Sequence, residues 1–247
     1  IVKQAERYGV ELLSAVAAES IESSNGAARV TLSTGAVIAA GAVVLATGST
    51  YRRTGVPGES DLIGAGVHFC ATCDGPFYKD ADELVVLGAG NSGLEEGLFL
   101  TKFAKHVTVL EQSDKVAGSK ILHNKVSAHP KMDLRLNSTV ASFNPDSNRR
   151  LESLTVTGPD GETYDQPAAA AFVFIGLDPN TGWLNGLVDL DQRGFIVTDR
   201  MMQTSVLGIF AAGDVRAGST KQLASAVGEG AAVSLQIRHH LESEQRK

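Results

Sequence analysis

The sequence predicts an α/β fold built on a parallel sheet. The main observation is the order of elements between residues 84 and 110, where an apolar strand, Leu84–Leu87, is followed by a glycine-rich turn, a helix, Asn91–Phe103, and a second strand, His106–Leu110. This order is the βαβ unit of parallel sheets. A second observation is the strand Ala42–Ala46, which is fully apolar and leads into a Thr-Gly turn.

The composition is that of a globular protein. At roughly 100–200 residues per domain, the 247 residues allow one large or two modest domains. The 43% hydrophobic content excludes a disordered chain. Lys+Arg number 22 against 28 Asp+Glu, and the cations form no stripe, which argues against nucleic acid as a partner.

Neither a membrane span nor a secretory signal is predicted. The longest apolar stretches, 36–46 and 168–177, are shorter than the roughly 18 residues that a spanning helix needs. The N terminus lacks the charged, apolar and small-residue order of a signal peptide. We therefore expect a cytoplasmic protein, although the chain opens on Ile1 rather than Met and we expect the natural start to be missing.

Short strands and turns precede the βαβ unit. We predict the end of a helix at 3–9 and an antiparallel meander of strands at Glu11–Ser14, Arg29–Ser33 and Ala36–Ile38, with turns at Asn25-Gly26 and Thr34-Gly35. The Pro and Gly residues of Gly55–Glu59 predict a linker, so we place a domain boundary near residue 60.

The elements after the βαβ unit extend its domain and then return to another one. Strands at Leu134–Leu136, Leu151–Thr157 and Phe172–Ile175 are predicted to continue the same domain. The pattern breaks near residue 179. The last segment carries strands Phe195–Val197 and Gly208–Ala211 and a helix from about Gln222 to His240. The predicted segments are therefore 1–60, 61–179 and 180–247.

The turn Gly88–Gly93 has the spacing G-x-G-x-x-G between an apolar strand and a helix, as a dinucleotide-binding loop requires. Gly88 permits the tight turn, Gly90 lets the backbone approach a pyrophosphate, and Gly93 lets helix and strand pack closely. The helix N-terminus supplies N–H groups to the phosphates. The alternative is a glycine-rich turn that binds no ligand.

The strand after the predicted helix ends at Leu110, and Glu111 follows it, 21 positions after Gly90. A carboxylate at this distance binds the ribose 2′-OH of NAD and repels the 2′-phosphate of NADP. Glu111 therefore predicts NADH, unless it is a solvated acid at a strand end. In the alternative interpretation, an NADPH-dependent enzyme, Lys115 or Lys120 would bind the 2′-phosphate.

The two cysteines are spaced as Cys70-x-x-Cys73. This spacing is typical of a redox dithiol, in which one thiolate is stabilised at a lowered pKa. The alternatives are half of a zinc site, which would have to borrow distant histidines, and an inert pair of buried thiols. We predict no metal. Asp74 directly follows the pair and could transfer protons, or it could serve only as a turn residue before Gly75.

Five motifs occur together along the chain: Ala46–Gly48, Val56–Glu59, Cys70–Gly75, Gly88–Gly93 followed by Glu95-Glu96, and Phe210–Asp214. In this combination the chain resembles the bacterial thioredoxin reductase family, and equally the NADH-using flavoprotein component of alkyl hydroperoxide reductase. The resemblance covers essentially the whole chain. It implies an FAD-dependent dithiol oxidoreductase with two three-layer, Rossmann-like dinucleotide-binding domains, the nucleotide domain (61–179) being inserted into the FAD domain (1–60 and 180–247).

The resemblance also implies roles for individual residues. Cys73 would face the flavin, Cys70 would attack the partner's disulfide, and Asp74 would be the acid/base. The implied FAD-binding residues are Thr47, Gly48, Gly213, Asp214, Lys221, Gln222 and Leu223, the last three near the isoalloxazine ring. The implied nucleotide-binding residues are Gly88, Gly90, Asn91, Ser92, Gly93, Glu95, Glu111 and Gly176.

The chain departs from the family's usual pattern at several positions. Lys221–Leu223 stands where the family usually has Arg-Gln-Ala, and Glu111–Ser113 stands where thioredoxin reductases usually have His-Arg-Arg. The second departure favours NADH, as does Gly93 where Ala is common. No G-x-G-x-x-G unit precedes Ile38, so we expect the FAD domain to lack its N-terminal βαβ unit in this chain.

These observations lead to one principal hypothesis. We expect an NADH-preferring, FAD-dependent disulfide reductase, a homodimer, that acts on a thioredoxin-like or peroxiredoxin-linked disulfide protein. An NADPH-dependent reductase is the first alternative. A truncated, non-catalytic dinucleotide-binding module without FAD is the second, and a zinc-binding structural module is the third.

Overall fold

The computed structural model describes residues 2–24 and 27–244. The chain divides into two compact units: unit 1 comprises residues 1–50 and 178–247, and unit 2 comprises residues 51–177. The unit limits lie at 50/51 and 177/178, against predicted boundaries near 60 and at 179/180. The predicted turn at Asn25-Gly26 lies outside the described residues.

The helices and strands are as follows. In chain order they are α1 (Val2–Arg7), β1 (Ala18–Ser24), β2 (Ala27–Leu32), β3 (Val37–Ala40), β4 (Val43–Leu45), β5 (Ser49–Tyr51), β6 (Val67–His68), α2 (Ala71–Asp74), β7 (Glu83–Leu87), α3 (Asn91–Leu100), β8 (His106–Leu110), α4 (Lys120–Ser127), β9 (Met132–Arg135), β10 (Thr139–Pro145), β11 (Leu151–Thr157), β12 (Thr163–Pro167), β13 (Ala170–Val173), β14 (Leu177–Pro179), β15 (Ile209–Ala211) and α5 (Leu223–Glu244). Short 3₁₀ helices cover Ser60–Leu62, Gly75–Tyr78, Gly182–Leu184 and Gly213–Val215.

Unit 1 begins with an antiparallel meander of β1, β2 and β3. The predicted meander is present, but its first strand is Ala18–Ser24, and the prediction of a strand at Glu11–Ser14 is wrong. Leu12 and Leu13 are about half exposed, and Ala15 adopts a left-handed backbone conformation with φ 58°. This turn changes the direction of the chain, and pairing with β2 starts only at Ala18.

A pair of strands joins the two chain segments of unit 1. β4 pairs in parallel with β15, so that Val43 lies opposite Ile209. Leu45, Ile209 and Val215 contribute to the buried cluster around this pair. The predicted strand Phe195–Val197 is not a strand: Ile196 is buried, but it makes only isolated bridges, to Leu190 and Arg216, because its backbone neighbours are loops.

Unit 2 is built on a five-stranded sheet in the order β6-β13-β7-β8-β9, all parallel. Alternate residues of β7 pack on its two faces. Leu84 and Val86 join a cluster with residues of α3 and α4, whereas Val85 and Leu87 join a cluster with the antiparallel sheet β10-β11-β12. Unit 2 therefore has three layers, and the predicted α/β, Rossmann-like fold is confirmed.

Two details of unit 2 add to or correct the sequence-based expectation. Strand Leu151–Thr157 has the predicted bounds and lies in the predicted domain, where it belongs to the antiparallel layer. The segment interpreted as a linker is packed: Glu59 is 1% exposed and its carboxylate accepts the N–H groups of Thr54 and Gly55 at 3.0 and 2.8 Å. A Cβ on Gly58 would overlap the Phe143 carbonyl oxygen.

Candidate functional site

The glycine-rich loop lies where the strand order of the parallel sheet reverses. β7 is flanked by β8 on one side and β13 on the other, and ligands of such sheets bind beyond the carboxyl ends of the strands at this point. Gly88 has φ +102°, and a Cβ there would come 2.6 Å from the Phe174 carbonyl oxygen. A Cβ on Gly93 would overlap the Gly88 carbonyl oxygen. The first and third glycines are thus required by close packing.

The middle glycine has a different environment. Gly90 is the N-cap residue of α3, with extended backbone, and no atom lies within 4 Å of a Cβ built there. Asn91, Ser92 and Glu95 are exposed on the first turns of α3. The Asn91 Oδ1 accepts the N–H of Ser119 at 2.7 Å, which joins the loop before α4 to this helix start. The space beside Gly90 is therefore open to a ligand.

Glu111 follows β8 and is hydrogen-bonded to the same loop. Its Oε2 accepts the Ala89 N–H at 2.8 Å, and its Oε1 accepts the N–H and O–H of Ser113 at 3.0 and 2.9 Å. Burial opposes ionisation, but these backbone and side-chain hydrogen bonds outweigh it and hold the pKa of Glu111 below its ordinary value. The structure therefore places an ionised carboxylate beside the dinucleotide loop.

Gly176 lies shortly after β13, the strand whose continuation supports Gly88. It has φ +117°, and its carbonyl oxygen accepts the Arg52 N–H at 3.1 Å. Gly88–Gly93, Glu111 and Gly176 thus share the carboxyl edge of one sheet, as their proposed common role requires. On α3, burial and the neighbouring Glu95 raise the pKa of Glu96.

The two cysteines form a disulfide, with their Cα atoms 5.3 Å apart. Cys70 is half-buried at the N-cap of the short helix α2, and its Sγ accepts the Cys73 N–H at 3.1 Å. Cys73 is exposed, and Asp74, in the same turn, is 31% exposed at its side chain. The pair and the carboxylate are therefore in one short element of unit 2, open to a reaction partner.

Two residues beside Asp74 have no part in the predicted dithiol site. His68 Nε2 lies 2.6 Å from the Tyr78 hydroxyl, and His68 Nδ1 lies 3.4 Å from Asp74 Oδ2. No motif marks them. The signal that could have found them is a polar residue, His68, in an otherwise apolar strand directly before the cysteine pair.

In unit 1, Thr47 and Gly48 follow β4 and are held by a residue that sequence reasoning missed. The side-chain Nδ2 of Asn180 donates to the Thr47 carbonyl oxygen at 2.8 Å, and the backbone carbonyl of Asn180 accepts the Thr47 hydroxyl at 3.0 Å. Thr50 donates to Asn180 Oδ1 at 3.1 Å. The loop after β4 is therefore fixed by one amide from a distant part of the chain.

Gly213 and Asp214 follow β15, the neighbour of β4, and line a cavity of about 390 Å³ together with Ala46, Gly48 and residues of α5. Asp214 Oδ1 is buried there, and none of the residues that the structure describes gives it a hydrogen bond. A buried carboxylate oxygen without a partner is costly unless a ligand or water supplies a donor. The hydroxyl-bearing chain of a flavin nucleotide is such a donor, so these residues fit part of an FAD molecule.

The turn that carries Asp214 is held from two sides. Glu229 of α5 accepts the Gly213 N–H at 2.7 Å and pairs with Arg216 at 2.7 Å. Lys221, in a left-handed conformation, donates its Nζ to the carbonyl oxygens of Asp214 and Arg216 at 2.7 and 2.8 Å. Its Nζ also lies 4.0 Å from the Phe195 ring centroid. Burial lowers the pKa of Lys221.

The other two residues of the predicted flavin-edge segment lie at the start of α5. Gln222 and Leu223 are both exposed, and Leu223 is 81% exposed. Of the three residues Lys221, Gln222 and Leu223, only Lys221 has a described side-chain contact with the Asp214 turn.

Two absences hold for residues 2–24 and 27–244. In this part of the chain, no helix is both long enough and apolar enough to cross a membrane. No group of three or more His, Cys, Asp or Glu side chains is placed to hold a metal ion there.

Comparison with known proteins gives consistent matches. Residues 2–230 match the family model described as pyridine nucleotide-disulphide oxidoreductase. The chain is 38% identical over 240 residues to a thioredoxin reductase from Streptomyces clavuligerus, covering 96% of this chain and 73% of the relative. It is 36% identical to an alkyl hydroperoxide reductase component of Staphylococcus aureus, covering 93% of this chain and 45% of the relative.

A solved structure agrees with these matches. The thioredoxin reductase from Streptococcus pyogenes superimposes with a TM-score of 0.89 at 36% identity, over 98% of this chain and 78% of that one. The chain thus spans about three-quarters of the Streptomyces relative's length and less than half of the Staphylococcus relative's. From the family match and these similarities, the chain belongs to the pyridine nucleotide-disulphide oxidoreductase family.

Proposed function

We propose that the chain is the larger part of an NADH-preferring, FAD-dependent disulfide reductase that passes electrons through the Cys70–Cys73 pair to a thioredoxin-like or peroxiredoxin-linked protein disulfide. The observation that carries the proposal is the Cys70–Cys73 disulfide with Asp74 in the same unit as the dinucleotide loop. Family membership supports it, since relatives are named thioredoxin reductase and alkyl hydroperoxide reductase.

Residues of both units contribute to the proposed cofactor sites. Gly88–Gly93 and Glu111 would hold the nucleotide in unit 2, and Thr47, Gly48, Gly213 and Asp214 would hold FAD in unit 1. When bound, FAD supplies hydride acceptance from the nucleotide and two-electron transfer to a disulfide. Asp214 would accept a hydrogen bond from a flavin-nucleotide hydroxyl with its buried Oδ1.

The nucleotide preference rests on Glu111. Its carboxylate is ionised, because its pKa is below the ordinary value, and it lies at the loop that would bind the pyrophosphate. An anion at this position accepts hydrogen bonds from a ribose 2′-OH and repels a 2′-phosphate. NADH is therefore the proposed electron donor.

The thiols and Asp74 divide the disulfide chemistry. In the reduced pair, the Cys70 thiolate attacks one sulfur of the partner's disulfide, that bond breaks, and the leaving thiolate takes a proton. The Cys73 thiolate then attacks Cys70 Sγ, which restores the Cys70–Cys73 bond and releases the second partner thiolate, which takes the second proton. Asp74 accepts and returns protons during these steps.

Three further parts of the proposal stay predictions: the cytoplasmic location, the homodimer and the absence of the N-terminal FAD-binding unit from this chain. The proposed occupant of the dithiol site, a thioredoxin-like or peroxiredoxin-linked protein, is likewise a prediction.

The visible spectrum of the purified chain tests the proposal. After FAD is added and free flavin is removed, we expect a protein-bound flavin absorbance that bleaches on addition of NADH and more slowly, by about tenfold or more, with NADPH. A protein that retains no flavin would contradict the FAD-dependent function and favour the non-catalytic nucleotide-binding module. Faster bleaching by NADPH would contradict the role of Glu111.

A further inference from the structure

His68 is a buried polar residue next to the dithiol element, and the proposed chemistry does not yet use it. It lies on β6, at the edge of the parallel sheet, two residues before Cys70, and is 8% exposed. Its ring packs against Phe172, with centroids 5.4 Å apart. Both ring nitrogens face polar groups: Nε2 faces the Tyr78 hydroxyl and Nδ1 faces the Asp74 carboxylate.

The protonation of these groups follows from their surroundings. Burial lowers the pKa of His68, and Asp74 only partly offsets this, so the imidazole is neutral near pH 7. Burial and Asp74 raise the pKa of Tyr78, although Arg150 opposes this, so its phenol keeps its proton. Three titratable or charged groups act on His68 or on its phenol partner: Asp74, Tyr78 and Arg150.

A neutral imidazole has one donor and one acceptor nitrogen. A carboxylate can only accept, so the favourable arrangement places the ring proton on Nδ1, facing Asp74. Nε2 is then the acceptor, and the Tyr78 hydroxyl donates to it across 2.6 Å. The 3.4 Å separation of Nδ1 and Oδ2 is a close contact rather than a well-aligned hydrogen bond, as is common in catalytic groups before a substrate binds.

We propose that His68 is a positioning residue for Asp74: its Nδ1–H orients the carboxylate beside the Cys70–Cys73 pair, and Tyr78 fixes the ring tautomer through Nε2. The inference rests on the proposed function, in which Asp74 accepts and returns the protons of the dithiol. A carboxylate held in one orientation is in position to react more often than one that rotates freely. The pair Tyr78–His68 therefore sets how often the Asp74 carboxylate lies where it can take up a thiol proton.

The test follows the rate of disulfide exchange in the full chain. The dithiol is reduced and freed of reductant, then mixed with 2-hydroxyethyl disulfide, which is reduced to two molecules of 2-mercaptoethanol as Cys70–Cys73 reforms. Acid quenching and counting of alkylatable thiols give the rate. Asp74→Asn measures how much of this rate depends on the Asp74 carboxylate.

We expect His68→Leu to slow the exchange by about three- to tenfold, because the Asp74 carboxylate is no longer held in place. His68→Asn keeps an N–H donor on the Asp74 side and should restore most of the rate, while Tyr78→Phe should slow the exchange less. In an Asp74→Asn background, His68→Leu should have no further effect on the rate.

His106 offers a matched control. It is a half-buried histidine whose Nδ1 lies 2.8 Å from Glu83, at the start of β8 and β7, outside the dithiol element. His106→Leu should leave the exchange rate unchanged. An unchanged rate in His68→Leu and Tyr78→Phe, or the same slowing in the Asp74→Asn background, would overturn the proposal. If His68→Leu does not fold, His68→Asn and Tyr78→Phe still decide it.

The assay contains no nucleotide and no flavin. A chain that fails to bind FAD or to oxidise NADH therefore contradicts the proposed function without affecting the exchange rate. Conversely, an exchange rate that His68→Leu and Tyr78→Phe leave unchanged removes the role of His68 and leaves the proposed function standing.

Discussion

Single residues of the dinucleotide loop have distinct physical roles, although three of them are glycines. Gly93 is glycine because any Cβ would overlap the Gly88 carbonyl oxygen, so it serves packing of α3 against β7. Gly90 has an ordinary extended backbone and open space where its Cβ would be. The fold therefore does not require glycine at this position, which agrees with the proposed contact with a ligand.

A pair of alanine substitutions separates these roles. We expect Gly93→Ala to lower the free energy of unfolding by about 2–3 kcal/mol, because the loop and helix must move apart. Gly90→Ala should leave it within about 0.5 kcal/mol but weaken NADH binding. Urea unfolding and NADH fluorescence titration measure the two quantities. Equal stability losses in both variants would contradict the distinction.

Glu111 predicts a pH dependence of stability. Its pKa in the folded protein is lower than its ordinary value of 4.5, so the unfolded chain binds its proton more readily. Its contribution is therefore present above pH 4.5 and is lost as the pH falls through the lower, folded value. Urea unfolding at several pH values should show that Glu111→Gln is less stable than the natural chain at pH 7 and that this difference shrinks below pH 4.5. A difference that grows on acidification would contradict this.

The sequence predicts some of these residues well and others not at all. Gly88–Gly93 and Glu111 follow from spacing, because the loop and the strand end belong to one continuous βαβ unit. Asn180 contacts Thr47 across 133 positions, and no local pattern records that contact. His68 escapes prediction for a related reason: its partners are fixed by the fold of α2 and the following turn.

At the scale of elements, helix α5 holds the turn that carries Asp214. Both oxygens of Glu229 are used, one by Arg216 Nη2 and the other by Arg216 Nε and the Gly213 N–H. The side chains of Arg216 and Glu229 are 19% and 11% exposed. The hydrogen bond from Arg216 is the main cause that lowers the pKa of Glu229. The helix thus contributes a shielded ion pair to the turn.

Removal of this carboxylate should be costly. Glu229→Leu leaves Arg216 and the Gly213 N–H without their partner, and we expect a loss of about 2–3 kcal/mol in unfolding free energy. Retention of added FAD should also fall, because the Asp214 turn is released. Glu242→Gln, which breaks an exposed ion pair with Arg238 in the same helix, is the matched control and should cause no measurable change. Equal effects of the two substitutions would argue against a special role for Glu229.

Strands are predicted most reliably from the pattern of their own residues. His106–Leu110 and Leu151–Thr157 have the predicted bounds, but the second belongs to an antiparallel sheet. Its alternating burial is the mark of a strand with one covered face, and it pairs with β10, which the sequence pattern does not predict. Sheet membership depends on such pairings between strands, whereas a strand's existence depends mainly on its own residues.

The whole molecule consists of one continuous unit placed within the sequence of another. Residues 51–177 contain the complete parallel sheet, its helices, the antiparallel layer, the dinucleotide loop and the cysteine pair. The family resemblance predicts this insertion, but the sequence pattern places its first limit about ten residues late because the Pro-Gly segment looks like a linker. Buried Glu59 shows why that segment packs within unit 2.

Unit 2 should fold without the rest of the chain. A protein of residues 51–177 is expected to unfold cooperatively in urea and to bind NADH with an affinity within about threefold of the full chain, since its core and loop are internal to it. Circular dichroism and fluorescence titration measure these properties. A molten, non-cooperative chain would contradict the division into units.

The parallel pairing of β4 with β15 has a consequence for biosynthesis. Val43 leaves the ribosome 166 residues before its partner Ile209, a delay of roughly ten to thirty seconds at common translation rates. Unit 2 is complete before Ile209 is made. β4 therefore waits for β15 while a whole domain is made between them, and we expect the yield of native protein to depend on the synthesis rate and on chaperone access.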